Sequence, residues 1–245
     1  MAAPNVGSWV RTGLWALPIY GLLTLWTTFI HQPDPNADFE AYARYVSTTS
    51  YLIDHLFGSI LGVTLAIFGA VALGAYLSSR RPALIVMVLS VAGNALILTV
   101  FGMSTFATPA VGRAYLEGMR NIIEVNQDIL GLPLVLTAMV GGLLYSAGTV
   151  LFGIAVWRSA TLPNWAGVLY APTGLLLSIA GLMIGAAQTL AAILIIASGA
   201  WIASSAMRQP STGPTEASDD RNPGSPNSGS RAACLNRLGG AKYAT

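Results

Sequence analysis

The stretch that decides the fold is residues 51–77, which read YLIDHLFGSILGVTLAIFGAVALGAYL. Its only acidic or basic side chains are Asp54 and His55, which lie about one helical turn inside its first end. A helix needs about 20 apolar residues to cross a bilayer. The stretch is therefore predicted to span a membrane and to carry a carboxylate and an imidazole near one surface.

Five further stretches have the same length and apolar character, at 12–30, 83–104, 133–156, 165–184 and 188–206. The first is longer than the apolar core of a signal peptide, and no small-x-small cleavage site follows it. We therefore expect it to be retained. The predicted fold is an all-α, polytopic membrane bundle of six transmembrane helices over residues 1–207.

The composition excludes a soluble globular enzyme. Of the 245 residues, 54% are hydrophobic and 9% are charged, and the mean hydropathy is +0.62. A soluble domain carries about 25% charged residues, so this chain cannot cover a water-facing surface with polar groups. The single Lys and the lack of a basic cluster exclude nucleic-acid binding. The single Cys excludes a disulfide scaffold.

The loop charges predict the orientation in the membrane. One set of short loops carries basic residues and no acid, at Arg11, Arg80, Arg81 and Arg158. The loops on the other side carry Arg44, Arg113 and Arg120 with six acids, at Asp34, Asp38, Glu40, Glu117, Glu124 and Asp128. Because basic loops stay inside, both termini are predicted to be cytoplasmic, and the acidic loops are predicted to face outward.

Residues 208–245 differ in character from the rest of the chain. They are rich in Gly, Pro, Ser and Asn, and they show no apolar period. Such a composition is typical of disorder, so we predict a disordered cytoplasmic tail.

Two of the outer loops show helical periodicity, in residues 36–46 and 110–127. Apolar side chains recur on one helical face, at Phe39, Tyr42, Ala43 and Val46 in the first loop and at Val111, Tyr115, Met119 and Ile122 in the second. The spacings Arg113–Glu117 and Arg120–Glu124 suit ion pairs. We interpret both loops as amphipathic helices that cap the bundle. The functional alternative is a lid over an outward-facing cavity.

Small residues occupy every fourth position of the deciding stretch, at Gly58, Gly62, Ala66, Ala70 and Gly74. Such a ridge lets helix backbones approach closely in lipid. Because a four-residue repeat drifts around a helix, the ridge is predicted to meet more than one neighbour.

Asp54 and His55 form the central candidate site. A carboxylate beside an imidazole can donate and accept protons. Gly58 and Gly62 fall between these two residues on a helical wheel, where they leave space for a tight helix contact or a small cavity that binds substrate. The structural alternative is an acid in the first turn of a helix, stabilised by the helix dipole and a hydroxyl cap.

Other polar groups could join the pair. Glu124 and Asp128 are further catalytic candidates, and His31 and Asn94 are further binding candidates. Asp128 could instead cap a helix, and Asn94 could instead make an interhelical hydrogen bond. Two distant His with no Cys nearby show no metal-ligand spacing, and no nucleotide motif is present, so we expect neither a metal nor a cofactor.

Residues 158–167, RSATLPNWAG, resemble a turn common in six- to seven-helix integral membrane proteins of high-GC bacteria that have no assigned activity. The segment from His31 to His55 is similar to those proteins as well. The resemblance covers most of the spans. It implies their fold and a location in the bacterial cytoplasmic membrane, and it implies no activity.

Two classes of function remain open. The first is a non-enzymatic protein that binds or moves a small hydrophobic molecule through an outward-facing cavity, or supports a partner. The second is an intramembrane enzyme doing acid–base chemistry on a lipid-soluble substrate; membrane-embedded terpene cyclases are similar in size, helix number and reliance on a few carboxyl groups. The expected partners are the bilayer and a hydrophobic small molecule, with no nucleic acid, and a homo-oligomer is left open.

Overall fold

The computed structural model describes residues 6–78, 81–180 and 184–209. Every regular element within these residues is helical, which confirms the predicted all-α class. The predicted tail at 208–245 lies outside the described residues from position 210 onward.

The described residues form α-helices and two π-helical segments, which are connected by turns and loops. The α-helices are α1 Val6–Gly13, α2 Ala16–Thr27, α3 Phe39–Val46, α4 Thr49–Asp54, α5 Gly62–Tyr76, α6 Arg81–Leu116, α7 Ile122–Ile129, α8 Leu132–Trp157, α9 Asn164–Tyr170, α10 Thr173–Leu175 and α11 Gly185–Arg208. The π-helical segments are π1 His55–Leu61, between α4 and α5, and π2 Leu176–Ala180, after α10.

Four helical segments of the described chain are long and apolar enough to cross a membrane. They are Thr49–Tyr76, Pro82–Leu116, Ile122–Trp157 and Gly185–Arg208. These segments coincide with the predicted spans at 51–77, 83–104, 133–156 and 188–206. They indicate a membrane-embedded protein.

The other two predicted spans are divided into shorter helices. A break at Leu14 and Trp15 separates α1 from α2, and α9 ends before Pro172. Proline lacks the N–H that would continue the hydrogen-bond ladder, so Pro172 accounts for the second break. Pro18 stands in the first turn of α2, where the missing N–H costs nothing.

Glycines decide where the long helices touch. A Cβ added to Gly93 of α6 would lie 2.5 Å from the backbone nitrogen of Tyr145 and 2.9 Å from the carbonyl oxygen of Gly141, both in α8. A Cβ added to Gly199 of α11 would lie 2.9 Å from the nitrogen of Pro18 in α2. The backbones are therefore nearly in contact at both crossings, as expected for helix association in lipid.

The small-residue ridge meets more than one neighbour, as the sequence predicts. A Cβ added to Gly58 would overlap Cγ2 of Thr27 in α2. At the other end of the ridge, a Cβ on Gly74 would lie 2.7 Å from Cβ of Met87 in α6. The ridge thus turns from α2 towards α6 along its length.

The largest apolar core brings together side chains from the α2, α5, α8 and α11 regions. Its fully buried members include Leu14, Leu17, Leu73, Phe152, Val156 and Ile202. These side chains fix the relative positions of the long helices.

The helix expected within residues 36–46 is α3. Its N-cap is Asp38, whose Oδ1 accepts a hydrogen bond from the Ala41 N–H at 3.0 Å. The apolar side of α3 packs on α6. The residues buried there are Tyr42, Ala43 and Val46.

The second expected outer helix, at 110–127, is not a single helix. Its first part is the end of α6, which continues to Leu116, and its second part begins with α7 at Ile122. α6 ends just before Gly118, whose φ is 104°. A glycine with positive φ commonly terminates a helix, and the sequence interpretation overlooked this signal.

The ion pairs expected in that segment do not form. In the described part of the chain, the one ion pair joins Glu40 to Arg44 on the exposed side of α3. Arg120 instead places its guanidinium carbon 4.2 Å from the ring centroid of Tyr115. Arg120 precedes the start of α7 at Ile122, so it is not one helical turn from Glu124 on a common helix.

Candidate functional site

A polar cavity of about 300 Å³ lies beside Asp54 and His55. Its other amide and hydroxyl-bearing side chains are Gln32, Gln188, Tyr20, Thr24, Thr27, Thr28 and Ser59. Most of the cavity lining comes from π1 and from the second half of α2 with the residues after it. The helices α6 and α11 and the segment π2 contribute one residue each. Helices distant in the sequence therefore converge on the predicted acid–imidazole pair.

Both π-helical segments contribute to this cavity. π1 begins at His55, directly after Asp54, and π2 contributes Leu177. A π-helical turn holds more residues than an α-helical turn, and such insertions occur often at functional sites.

His55 is held by a backbone hydrogen bond and a ring contact. Its Nδ1 lies 3.0 Å from the carbonyl oxygen of Tyr51, one turn earlier. A carbonyl can only accept, so Nδ1 carries the hydrogen and Nε2 is the lone-pair nitrogen of the neutral ring. The imidazole ring of His55 and the phenol ring of Tyr51 have centroids 3.9 Å apart.

Tyr51 is in turn fixed to α6. Its side chain is fully buried, and its hydroxyl lies 3.1 Å from both the carbonyl oxygen and Oγ of Ser104. Its backbone N–H donates to Oγ1 of Thr48, the N-cap of α4, at 3.1 Å. Tyr51 therefore connects the orientation of His55 to the position of α6.

Tyr45 of α3 packs on the other side of Tyr51. The ring centroids are 5.6 Å apart and the ring planes are nearly perpendicular. The hydroxyl of Tyr45 is buried without a hydrogen-bond partner. Burial, and then the nearby Asp54 carboxylate, raise the pKa of Tyr45, so its hydroxyl stays protonated.

Asp54 is partly buried and accepts one side-chain hydrogen bond, from Oγ of Ser50 to Oδ2 at 3.3 Å. It is the sixth residue of the continuous helical segment Thr49–Tyr76 and so lies beyond its first turn. The dipole of the helix N-terminus therefore acts on it less strongly than the structural alternative supposed.

Three threonine hydroxyls of the cavity bond to the backbone of their own helix region. Thr24 donates to the carbonyl of Tyr20 at 2.9 Å, and Thr27 donates to the carbonyl of Thr24 at 2.7 Å. Thr28 donates to the carbonyl of Leu25 at 2.8 Å. Each hydroxyl hydrogen is therefore already donated, and each oxygen can take part in a further hydrogen bond only as an acceptor.

An apolar groove lies directly against this cavity. The groove also has a volume of about 300 Å³, and Leu23, Trp26, Ile53 and Phe57 line it together with Asp54 and Gly58. Trp26, Ile53 and Phe57 are largely exposed at the bundle surface. Asp54 and Gly58 line both spaces.

The two glycine candidates have different surroundings. Gly58 lines the cavity and touches Thr27 of α2, whereas Gly62 is not among the lining residues. A Cβ on Gly62 would have its nearest neighbours at ordinary distances, 3.7 Å to Tyr20 and 3.8 Å to Leu23.

The remaining candidates do not line the cavity. Asn94 is buried, and its Nδ2 donates to the carbonyl of Ser90 in its own helix at 2.8 Å. This bond lies within one helix, whereas the sequence alternative for Asn94 is an interhelical hydrogen bond. His31, Glu124 and Asp128 are exposed and are not among the lining residues.

Sequence reasoning missed the hydroxyl groups. Thr24, Thr27 and Thr28 follow the i, i+3, i+4 spacing of one helical face within the predicted first span. Attention to polar periodicity would have identified them. By contrast, no local pattern reports that Ser59 and Phe101 reach the same cavity.

The described residues hold no group of three or more His, Cys, Asp or Glu side chains that could bind a metal. The polar side chains that line the cavity can form hydrogen bonds, and Asp54 and His55 among them can exchange protons.

The fold and the cavity define an all-helical, membrane-embedded protein with a polar pocket between its helices. Comparison with models of protein families, with curated proteins and with solved structures found no match. The resemblance to membrane proteins of high-GC bacteria stays a prediction from the sequence.

Proposed function

We propose that this protein is a six-crossing protein of the bacterial cytoplasmic membrane that binds or moves a small hydrophobic molecule through an outward-facing cavity. Both termini are cytoplasmic in this proposal. The observation that carries it is the polar cavity at Asp54 and His55, near the loops that hold most of the acids.

The six crossings are supported by the packing of the divided helices. α2 lies against both α5 and α11, and α9 lies against α8 and α11. Leu17 and Tyr20 of α2 and Ala166 and Tyr170 of α9 are buried in the bundle. Helices interrupted inside a membrane are tolerated where neighbouring helices bury the break, so α1–α2 and α9–π2 would each complete one crossing.

The binding role is supported by the form of the cavity. Ligand pockets have volumes of about 300–1,000 Å³ and combine an apolar surround with a few convergent polar groups. This cavity reaches the lower end of that range and lies next to an apolar groove. A molecule that arrives through the bilayer would reach it from the side of Phe57.

Filling the cavity tests the proposal. Ser59 lines the cavity, and Thr64 lies on the following turns without lining it; both are partly buried hydroxyl residues. Ser59→Leu should remove the small molecules that co-purify with the protein, as measured by mass spectrometry of organic extracts. Thr64→Leu should retain them. Identical extracts from both variants and from the wild type would contradict a binding role for this cavity.

The enzyme alternative has one specific observation in its favour. The hydrogen bond from Nδ1 of His55 to Tyr51 leaves Nε2 as a base, and the Asp54 carboxyl group lines the same cavity. If the pair is catalytic, Asp54→Asn should abolish the function while stability is kept, and wild-type membranes should contain a product that the variant lacks. Full complementation of a deletion strain by both Asp54→Asn and His55→Ala would exclude this alternative.

A further inference from the structure

The polar cavity and the apolar groove are adjacent spaces of two different characters. They meet at Asp54 and Gly58, which line both. The methyl group of Thr27 packs on Gly58, so Asp54 is the side chain that both spaces share. A ligand that fills both spaces must therefore carry a polar head and an apolar chain.

The hydrogen-bond capacity of the cavity is biased towards acceptors. The hydroxyl hydrogens of Thr24, Thr27 and Thr28 are already donated to backbone carbonyls. Nδ1 of His55 is occupied in the same way, which leaves Nε2 as an acceptor in the neutral ring. The Asp54 carboxylate can only accept.

The remaining polar groups do not reverse this bias. The amides of Gln32 and Gln188 both donate and accept, and the hydroxyls of Tyr20 and Ser59 can do either. No Lys or Arg lines either space within the described residues, so Asp54 supplies the formal charge there. An anionic head would meet this carboxylate without a basic partner, whereas a cation would pair with it.

We infer that the site selects a single-chain amphiphile with a protonated amine as its head, held at Asp54, and with its chain in the groove beside Trp26 and Phe57. This inference rests on the proposed function and names its ligand class. A primary ammonium supplies three N–H donors to a lining rich in acceptors. The apolar chain remains in the lipid-facing groove and need not enter the polar cavity.

Three probes with the same alkyl chain and different head groups distinguish the contribution of the head group from that of the chain. Dodecylamine, dodecanol and dodecanoic acid, each brominated on the chain, are titrated at neutral pH into the full-length protein in nanodiscs. Quenching of tryptophan fluorescence reports binding. Dodecylamine should bind saturably and roughly tenfold or more tightly than the other two, since a charge-assisted hydrogen bond is worth at least that factor.

Variants then locate the site. Asp54→Asn should reduce the affinity for dodecylamine to that for dodecanol, whereas Asp128→Asn, which removes an exposed acid elsewhere, should not. Trp26→Phe should remove most of the saturable quenching, whereas Trp165→Phe, which lines neither space, should leave it. Saturable quenching that persists in Trp26→Phe would overturn the placement of the chain.

The outcomes also distinguish a failure of this inference from a failure of the proposed function. Equal or tighter saturable binding of dodecanol or dodecanoic acid to the wild type overturns the amine preference and leaves a binding cavity in place. This result does not depend on whether any variant folds. Absence of saturable binding for all three probes overturns the inference, and unchanged extracts from Ser59→Leu would then overturn the proposed function as well.

Discussion

The imidazole of His55 lies against the ring of Tyr51, with 3.9 Å between centroids, and its Nδ1 donates to the Tyr51 carbonyl at 3.0 Å. Tyr51 is fixed in turn through its hydroxyl to Ser104 on α6. The orientation of one site residue thus depends on a helix that begins some twenty-six positions further along the chain.

Tyr51→Phe should destabilise the protein by about 0.5–1.5 kcal/mol, because it removes the hydroxyl that bonds to Ser104 inside the bundle. Tyr45→Phe is the matched control, since the hydroxyl of Tyr45 is buried without a partner. We expect that variant to be neutral or stabilised. Thermal unfolding in detergent measures both, and a larger loss for Tyr45→Phe would contradict the hydrogen-bond assignment.

Gly58→Ala should destabilise the protein by about 1–3 kcal/mol, because its Cβ would overlap Cγ2 of Thr27. Gly62→Ala meets no close neighbour and should be neutral or stabilising by up to about 1 kcal/mol. Thr27→Ser removes the overlapping methyl group and keeps the hydroxyl, so it should rescue Gly58→Ala. Additive effects in this double-mutant cycle would show that the two residues do not touch.

Gly93→Ala should be among the most damaging single-methyl changes in α6. The atoms that its Cβ would meet belong to the α8 backbone and cannot rotate away, so we expect a loss of about 1–3 kcal/mol. Gly102, in the same helix, has nothing within 4 Å of that position. Gly102→Ala should therefore gain about 0.5–1 kcal/mol. The midpoint temperatures of thermal unfolding measure the difference between the two variants, and equal values would contradict the close α6–α8 crossing.

Cysteine labelling tests the orientation. A cysteine at Glu40 or Glu117, both exposed, should react with a membrane-impermeant maleimide added to intact cells. Glu117 is preferable to Gly118, because the positive φ of Gly118 strains any other residue. Cys234 should be protected until the cells are opened. Labelling of Cys234 in intact cells would reverse the orientation and place the cavity on the cytoplasmic side.

The sequence by itself determined the helical class, the long apolar helices and the position of α3. These features are local: a run of about 20 apolar residues or a repeat of 3.6 residues can be recognised without knowing its neighbours. The same reasoning placed Asp54 and His55 near one end of a span. It also predicted that the ridge from Gly58 to Gly74 would meet more than one helix.

Only the tertiary structure decided which helices become neighbours. In lipid, apolar faces give no preference for one partner over another, and close packing at small residues makes the choice. That choice brought Thr24 and Thr27 of α2 to Asp54, and left Glu124 and Asp128 exposed. It also fixed Tyr51, whose carbonyl holds His55, to Ser104 of α6, a contact between residues 53 positions apart.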